Sequence, residues 1–420
     1  MRFDWRERIL VPVRANLASF CRWLMVAAAV GLVVGAAGST FYYLLHWVTD
    51  LRTKHGWLVW LLPFGGLLIV GCYRLSKVET PKGTNLVLAA VRSGEPLPAR
   101  MAPLIFVSTV LTHLFGGSAG REGAALQLGG SLGTLVGRWL KLDDDCKKIV
   151  IMCGMSAGFT ALFGTPVAAT VFSMEVISVG VMYYAALVPC VVSAVVAYAL
   201  AGRLGIPPEA LSIQTVPAFA LSTALRVLLL GVLCAGISVV MCAAFHQANR
   251  LFRQYLPNQY LRAFSGGVLV LLLMLVFQTR DYLGAGMPVI KAAITGQARP
   301  EAFLLKILFT AITLGAGFKG GEIVPSFFVG ATGGCLIGRM IGLEPGYAAA
   351  LGMLSVFCGV TNCPITALVL AFEIFGFVSP KGFLLALASS YMLSGYYSLY
   401  SAQKIMYSKM RPKYINKPTH

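Results

Sequence analysis

Gly116-Gly117-Ser118-Ala119-Gly120-Arg121-Glu122-Gly123 sets four glycines and a carboxylate inside otherwise apolar sequence. Glycines on both sides let backbone N–H groups converge at the start of a helix running from about Ala124, where the helix dipole favours an anion. A carboxylate there can occupy an anion site itself. Once protonated it is neutral, loses that attraction and swings away, so one side chain can link anion occupancy to a proton. Gly320-Gly321-Glu322-Ile323-Val324-Pro325 offers the same chemistry in the second half, another glycine-opened helix start.

The surroundings are those of a membrane protein. The 420 residues are 57% hydrophobic and 12% charged, and the mean hydropathy is +0.77. A soluble domain carries about 25% charged residues, so this chain cannot be wetted all round. The net charge of +18 raises the question of nucleic acid. Basic residues crowd the ends, however: Arg2, Arg6, Arg8, Arg14 and Arg22 before the first apolar run, and Lys404, Lys409, Arg411, Lys413 and Lys417 after the last. The positive-inside rule then puts both termini in the cytoplasm with an even number of crossings, and no nucleic-acid partner is expected. The run Leu24 to Trp47 is too long for a signal peptide and reads as a true span. Ten cysteines form no C-x-x-C pair and read as packing residues. No paired aspartates, Ser/His arrangement or His-Glu-x-x-His motif supports an intramembrane enzyme, and no cofactor or metal is expected.

Apolar runs at about 24–48, 57–75, 181–202, 217–246, 264–278 and 381–399 are long enough, or nearly so, to cross a bilayer. Between Thr109 and Trp139, and again between Leu314 and Ile341, glycines and charges cut the sequence into half-spans, the mark of broken helices lining a cavity. The halves correspond. At an offset of 198, Met155, Phe159, Pro166 and Glu175 match Met353, Phe357, Pro364 and Glu373. Upstream, at an offset of 200 to 201, Glu122 pairs with Glu322. The expected organisation is a basic N-terminus (1–22), two membrane repeats (23–210 and 211–403) and a basic cytoplasmic tail (404–420). Parallel and inverted repeats both remain open at this point.

Of sixteen acidic residues, four lie inside apolar sequence: Glu122, Glu175, Glu322 and Glu373. A carboxylate at membrane depth costs several kcal/mol unless it is paired, protonated or facing water. Glu175 and Glu373 each follow a proline by nine residues, which suggests a shared structural role in helix-end hydrogen bonding. His113 is the one histidine close to Glu122 along the chain and reads as structural.

At these residues the sequence resembles the CLC family of chloride channels and anion/proton antiporters. Gly120-Arg121-Glu122-Gly123 matches the G-R-E-G motif, in which the glutamate is external gate and proton acceptor. Gly321-Glu322-Ile323-Val324-Pro325 takes the place of G-x-F-x-P, with Ile323 for phenylalanine. Tyr400 looks like the family's anion-coordinating tyrosine, and Gly83-Thr84-Asn85-Leu86-Val87 stands where G-S-G-I-P is expected. The resemblance implies an all-helical integral membrane fold of two inverted repeats with tilted and broken helices. It also implies a homodimer in the lipid bilayer. The expected anion site comprises Thr84, Asn85, Gly120, Arg121, Gly123, Ile323, Val324 and Tyr400, although Arg121 can equally anchor the loop.

The departures refine this expectation. Chloride/proton antiporters of the family carry a second, internal glutamate directly after the position of Glu175, and here that residue is Val176. Chloride channels also have valine there. The fluoride/proton antiporters are similar in lacking that acid, in their G-x-N-L loop and in Gly-Gly-Glu-x-x-Pro. The expected activity is therefore export of fluoride in exchange for protons, with a chloride channel or chloride/proton antiporter as the alternative. Fluoride holds its water tightly, and close donors such as the Asn85 amide or Thr84 hydroxyl would help replace it. Glu322 is then the expected substitute for the internal acid, unless it is a helix N-cap carboxylate. About 20 residues follow Tyr400, so a nucleotide-binding regulatory pair is not expected.

Overall fold

The computed structural model describes residues 11–78 and 83–419. Arg2, Arg6 and Arg8 lie outside them. Among the described residues sixteen α-helices form two sets of eight. The first is α1 (Val11–Lys54), α2 (Leu62–Leu75), α3 (Thr84–Ser93), α4 (Met101–Leu114), α5 (Glu122–Trp139), α6 (Asp144–Phe163), α7 (Pro166–Glu175) and α8 (Leu187–Arg203). The second is α9 (Leu221–Tyr255), α10 (Gln259–Val276), α11 (Met287–Ile294), α12 (Ala302–Gly315), α13 (Ile323–Ile341), α14 (Pro345–Thr361), α15 (Pro364–Phe375) and α16 (Pro380–Leu393).

Within each set the same helices pack. α1 lies against α6 and α8 as α9 lies against α14 and α16, and α5 packs on α6 as α13 packs on α14. Across the junction, α2 meets α10, α5 meets α13 and α7 meets α15, each helix touching its own counterpart as a two-fold relation requires. Hydrogen bonds repeat the relation atom by atom. Gly120 and Gly321 exchange N–H···O bonds of 2.7 Å as an antiparallel pair. Ser118 N donates to Thr313 Oγ1 at 3.1 Å, and Lys319 N to Thr112 Oγ1 at 3.3 Å. Gly116 and Gly317, with φ of +86° and +108°, turn the chain at equivalent places where a side chain would be strained.

All these pairs differ by 201 in residue number, which corrects the expected match of Glu122 with Glu322. The counterpart of Glu122 is Ile323, and Glu322 answers to Arg121. The offset falls to 198 only beyond the start of α6, which has 20 residues where α14 has 17.

Small residues let these helices approach. A Cβ built on Gly129 would stand 2.0 Å from the Gly154 carbonyl oxygen, and one on Gly330 would stand 2.3 Å from that of Gly352. Gly129-Gly133-Gly137 and Gly330-Gly334-Gly338 are thus the four-residue small spacing of close membrane helix pairs. Replacing Gly154 by valine meets backbone that cannot move aside. A loss of about 3 kcal/mol, the upper end of ordinary overpacking, is expected. The check is the yield of monodisperse protein on size exclusion in detergent.

Glu175 and Glu373 perform one reciprocal task. Glu175, ending α7, accepts from Ile365 N (3.1 Å), Thr366 N (2.8 Å) and Thr366 Oγ1 (2.6 Å) at the start of α15. Glu373, near the end of α15, accepts from Val167 N (3.0 Å) and Ala168 N (2.7 Å) at the start of α7. Each carboxylate caps the other repeat's helix, filling donors that have no partner within the helix. Glu373→Gln should lower stability by about 1 kcal/mol or somewhat more, read as a drop in the thermal midpoint, with anion exchange retained.

Three sequence expectations change in detail. α1 runs well beyond 24–48, to 44 residues, because its polar first turns continue the helix past the apolar part. The run 57–75 is a 3-10 turn (Gly56–Leu61) followed by α2, with Pro63 near its start, where the ring lacks the N–H that would continue a helix. The segment 404–418 is built into a small sheet. β2 (Lys404–Tyr407) pairs in parallel with β1 (Ser178–Val179) and antiparallel with β3 (Tyr414–Pro418).

Seven helical segments among the described residues are long and apolar enough to cross a membrane. Others, such as α3 and α7 with 10 residues each, can reach only part way. Their ends stop inside the protein, which is where the candidate site forms.

Candidate anion site

The helix starts of α5 and α13 meet at the Gly120–Gly321 pair, and the start of α3 closes on them. A Cβ built on Gly123 would stand 2.9 Å from Gly321 Cα, 3.0 Å from Glu322 Oε2 and 3.3 Å from Thr84 Oγ1. Three helix N-termini with orphan N–H groups therefore face one small volume, which favours negative charge. A side chain at Gly123 would fill it.

Glu122 is fully buried. Its carboxylate folds back over the start of its own helix, with Oε2 accepting from Arg121 N at 3.0 Å and Oε1 from Arg121 Nε at 3.2 Å. The position is one an anion would take. The Arg121 guanidinium is committed elsewhere as well: Nη2 donates to Glu209 Oε1 at 2.6 Å, and Nη1 lies 3.4 Å from His46 Nε2. Its side chain anchors the loop rather than pointing at the Thr84–Gly123 volume. Glu209, not among the four acids singled out in the sequence, is the partner that reasoning missed.

Glu322 stands at the N-cap of α13 yet makes no capping hydrogen bond with its side chain. Its Oε2 is enclosed and has no partner among the described residues. The N-cap alternative is thus not what this carboxylate does. Ile323 and Val324, both buried, begin α13 and present N–H groups without acceptors inside the helix.

Tyr400 is 1% exposed, and its hydroxyl also has no partner among the described residues. The loop holding it is tied on every side. Asn85 Oδ1 accepts from Ala402 N at 2.8 Å, which leaves the Nδ2 amide as a donor, and Arg92 Nη1 donates to Ala402 O. Gln403 Nε2 reaches Val176 O (2.9 Å) and Thr361 O (2.8 Å), and Gln403 Oε1 accepts from Asn362 Nδ2 (2.9 Å) and Ser398 Oγ (2.9 Å). Thr419 Oγ1 donates to Tyr400 O at 2.9 Å. Gln403 was not foreseen; its sequence signal is an amide directly after Tyr400-Ser401-Ala402. Thr84 Oγ1 accepts from Gln127 Nε2 at 3.4 Å and lies 3.5 Å from Gly123 O. Val176 is fully buried, so the position of the internal acid of chloride/proton antiporters is apolar here.

Fold and site define a membrane protein whose broken helices converge on an anion-favouring centre with a buried carboxylate across it. Comparison with known proteins agrees. The voltage gated chloride channel family matches residues 65–395. A chloride/fluoride channel protein of Pseudomonas syringae pv. tomato is 33% identical over 95% of this chain and 90% of its own length. An H(+)/Cl(-) exchange transporter, ClcA, of Vibrio parahaemolyticus is 26% identical over 83% of this chain and 81% of its own. Among solved structures, a CLC-type fluoride/proton antiporter superposes with a TM-score of 0.88 at 31% identity, covering 91% of this chain and 98% of that one. A slow cyanobacterial Cl-/H+ antiporter superposes at 0.76 with 22% identity, covering 89% and 94%, a likeness of fold. The chain belongs to the CLC family and is a multi-pass membrane protein.

Proposed function

We propose that this protein exports fluoride in exchange for protons, as a homodimer in the cell membrane with both termini in the cytoplasm and Glu122 toward the outside. The observation that carries the reading is the pair of enclosed, unpartnered polar atoms beside the gate, Glu322 Oε2 and the Tyr400 hydroxyl. Other buried polar atoms also lack partners, so it is the placement of this acceptor and this donor where three helix N-termini converge that suits them to a proton and an anion.

In this reading the Glu122 carboxylate and fluoride compete for the same helix-start donors. Protonation removes the charge that holds Glu122 there, and fluoride takes its place. The Tyr400 hydroxyl and Asn85 Nδ2 supply close donors that replace part of fluoride's water. With Val176 apolar, Glu322 receives the proton on its way inward. The Pseudomonas relative named for both chloride and fluoride keeps chloride as the competing anion.

Tyr400→Phe tests the anion side alone. Loss of one hydrogen bond to a charged ligand corresponds to about 1.5–3 kcal/mol, so half-maximal fluoride flux should need about tenfold more fluoride or beyond. A fluoride electrode in a proteoliposome suspension reads this, and an unchanged concentration dependence would remove Tyr400 from the anion site.

A further inference from the structure

Beside Arg121, a cavity of about 320 Å³ is lined by His46, Thr49, Arg52, His113, Arg121, Arg280 and Asp281 among others. Arg52, at the end of α1, donates from Nη1 to His113 O at 2.8 Å. Its guanidinium packs over Gly284, whose absent Cβ would lie 3.0 Å from Nη2, and Arg280 Nη1 packs over Gly56 in the same manner. Glycines at both places make room for two guanidinium groups that act on each other as like charges.

The acids nearby leave both guanidinium groups unpaired, although the half-exposed Asp281 itself lines the cavity. Glu209 is paired with Arg121 at 2.6 Å, and Asp281 stands 3.9 Å from Arg299. Among the described residues neither Arg52 nor Arg280 has a carboxylate partner. Two unneutralised cations held together in a partly enclosed cavity repel unless an anion lies between them.

We propose that Arg52 and Arg280 bind a small monovalent inorganic anion in this cavity, a site separate from the one Glu122 covers. It lies one residue's reach from the gate, because Arg121, which lines the same cavity, holds the Glu122 carboxylate through Nε. An anion parked there would be the next to enter when Glu122 leaves, or the last to depart. That transport role rests on the gate reading of Glu122, whereas occupancy of the cavity does not.

The test therefore reads occupancy without transport. The Thr49→Cys variant places a thiol on the cavity wall, and the unsubstituted chain supplies the blank for its native cysteines. In detergent, the rate of modification by the anionic methanethiosulfonate ethylsulfonate is measured in sodium fluoride, sodium chloride and sodium gluconate at equal ionic strength. Fluoride and chloride should slow the reaction about tenfold relative to gluconate, the scale on which a charged cleft concentrates counter-ions. Arg280→Ala should remove that protection and Arg280→Lys keep part of it. The Arg280 side chain makes no hydrogen bond or salt bridge among the described residues, and its backbone carbonyl, which accepts from Leu283 N at 3.1 Å, is kept on substitution, so its replacement leaves the fold in place. Equal slowing by gluconate would reduce the effect to screening and overturn the proposal, as would full halide protection in Arg280→Ala. Failure of fluoride/proton exchange in liposomes, with halide protection intact, would instead count against the gate reading alone.

Discussion

Glu122→Gln should stop proton uptake during fluoride efflux, lowering it by about 100-fold or more, to the leak of protein-free vesicles. Glutamine copies the shape of the protonated side chain but carries no titratable proton, and loss of a positioned proton carrier typically costs 10²–10⁴-fold. The variant should still fold. Arg121 retains Glu209 at 2.6 Å, so replacing one of its two carboxylate partners does not leave a buried guanidinium unpaired. Fluoride then follows its own gradient without a pH change. Proton-driven fluoride movement that survives in Glu122→Gln would defeat the mechanism, since no other acid shares that helix start.

Glu322→Gln is expected to break coupling to a similar degree by a different route. The Glu122 gate can still open to one side, but the proton finds no acceptor toward the other where Val176 stands. Because Glu322 makes no capping bond, the thermal midpoint should change by no more than a few degrees, separating loss of a proton path from loss of structure. Simultaneous recording of fluoride release and pH in proteoliposomes decides it. Intact coupling would remove Glu322 from the path.

Much of this was readable in the residues. Glycine on both sides of Glu122 announces a backbone that must approach another segment closely, and the Gly120–Gly321 pair is that approach. The prolines that open α7 and α15 and the acids nine residues later announced a shared structural task, fulfilled as reciprocal capping. What the sequence concealed depends on contacts between distant segments. Glu322 looked like the copy of Glu122 because both are glutamates beside glycine, whereas the cross-repeat bonds of Ser118 and Lys319 set a register of 201. Arg52 and Arg280 sit 228 residues apart, and nothing in either neighbourhood signals the other. Gln403 and the strands of the C-terminal segment were hidden for the same reason: their partners, Val176 and Ser178–Val179, belong to the other repeat.

The most direct test of the whole account loads proteoliposomes with fluoride or with chloride, clamps the voltage with a potassium ionophore, and records external pH during efflux. Fluoride efflux with proton uptake, and chloride efflux much slower, is the predicted result. Chloride leaving as readily as fluoride with no pH change would contradict it, making the protein a passive anion channel and Glu122 a gate that carries no proton.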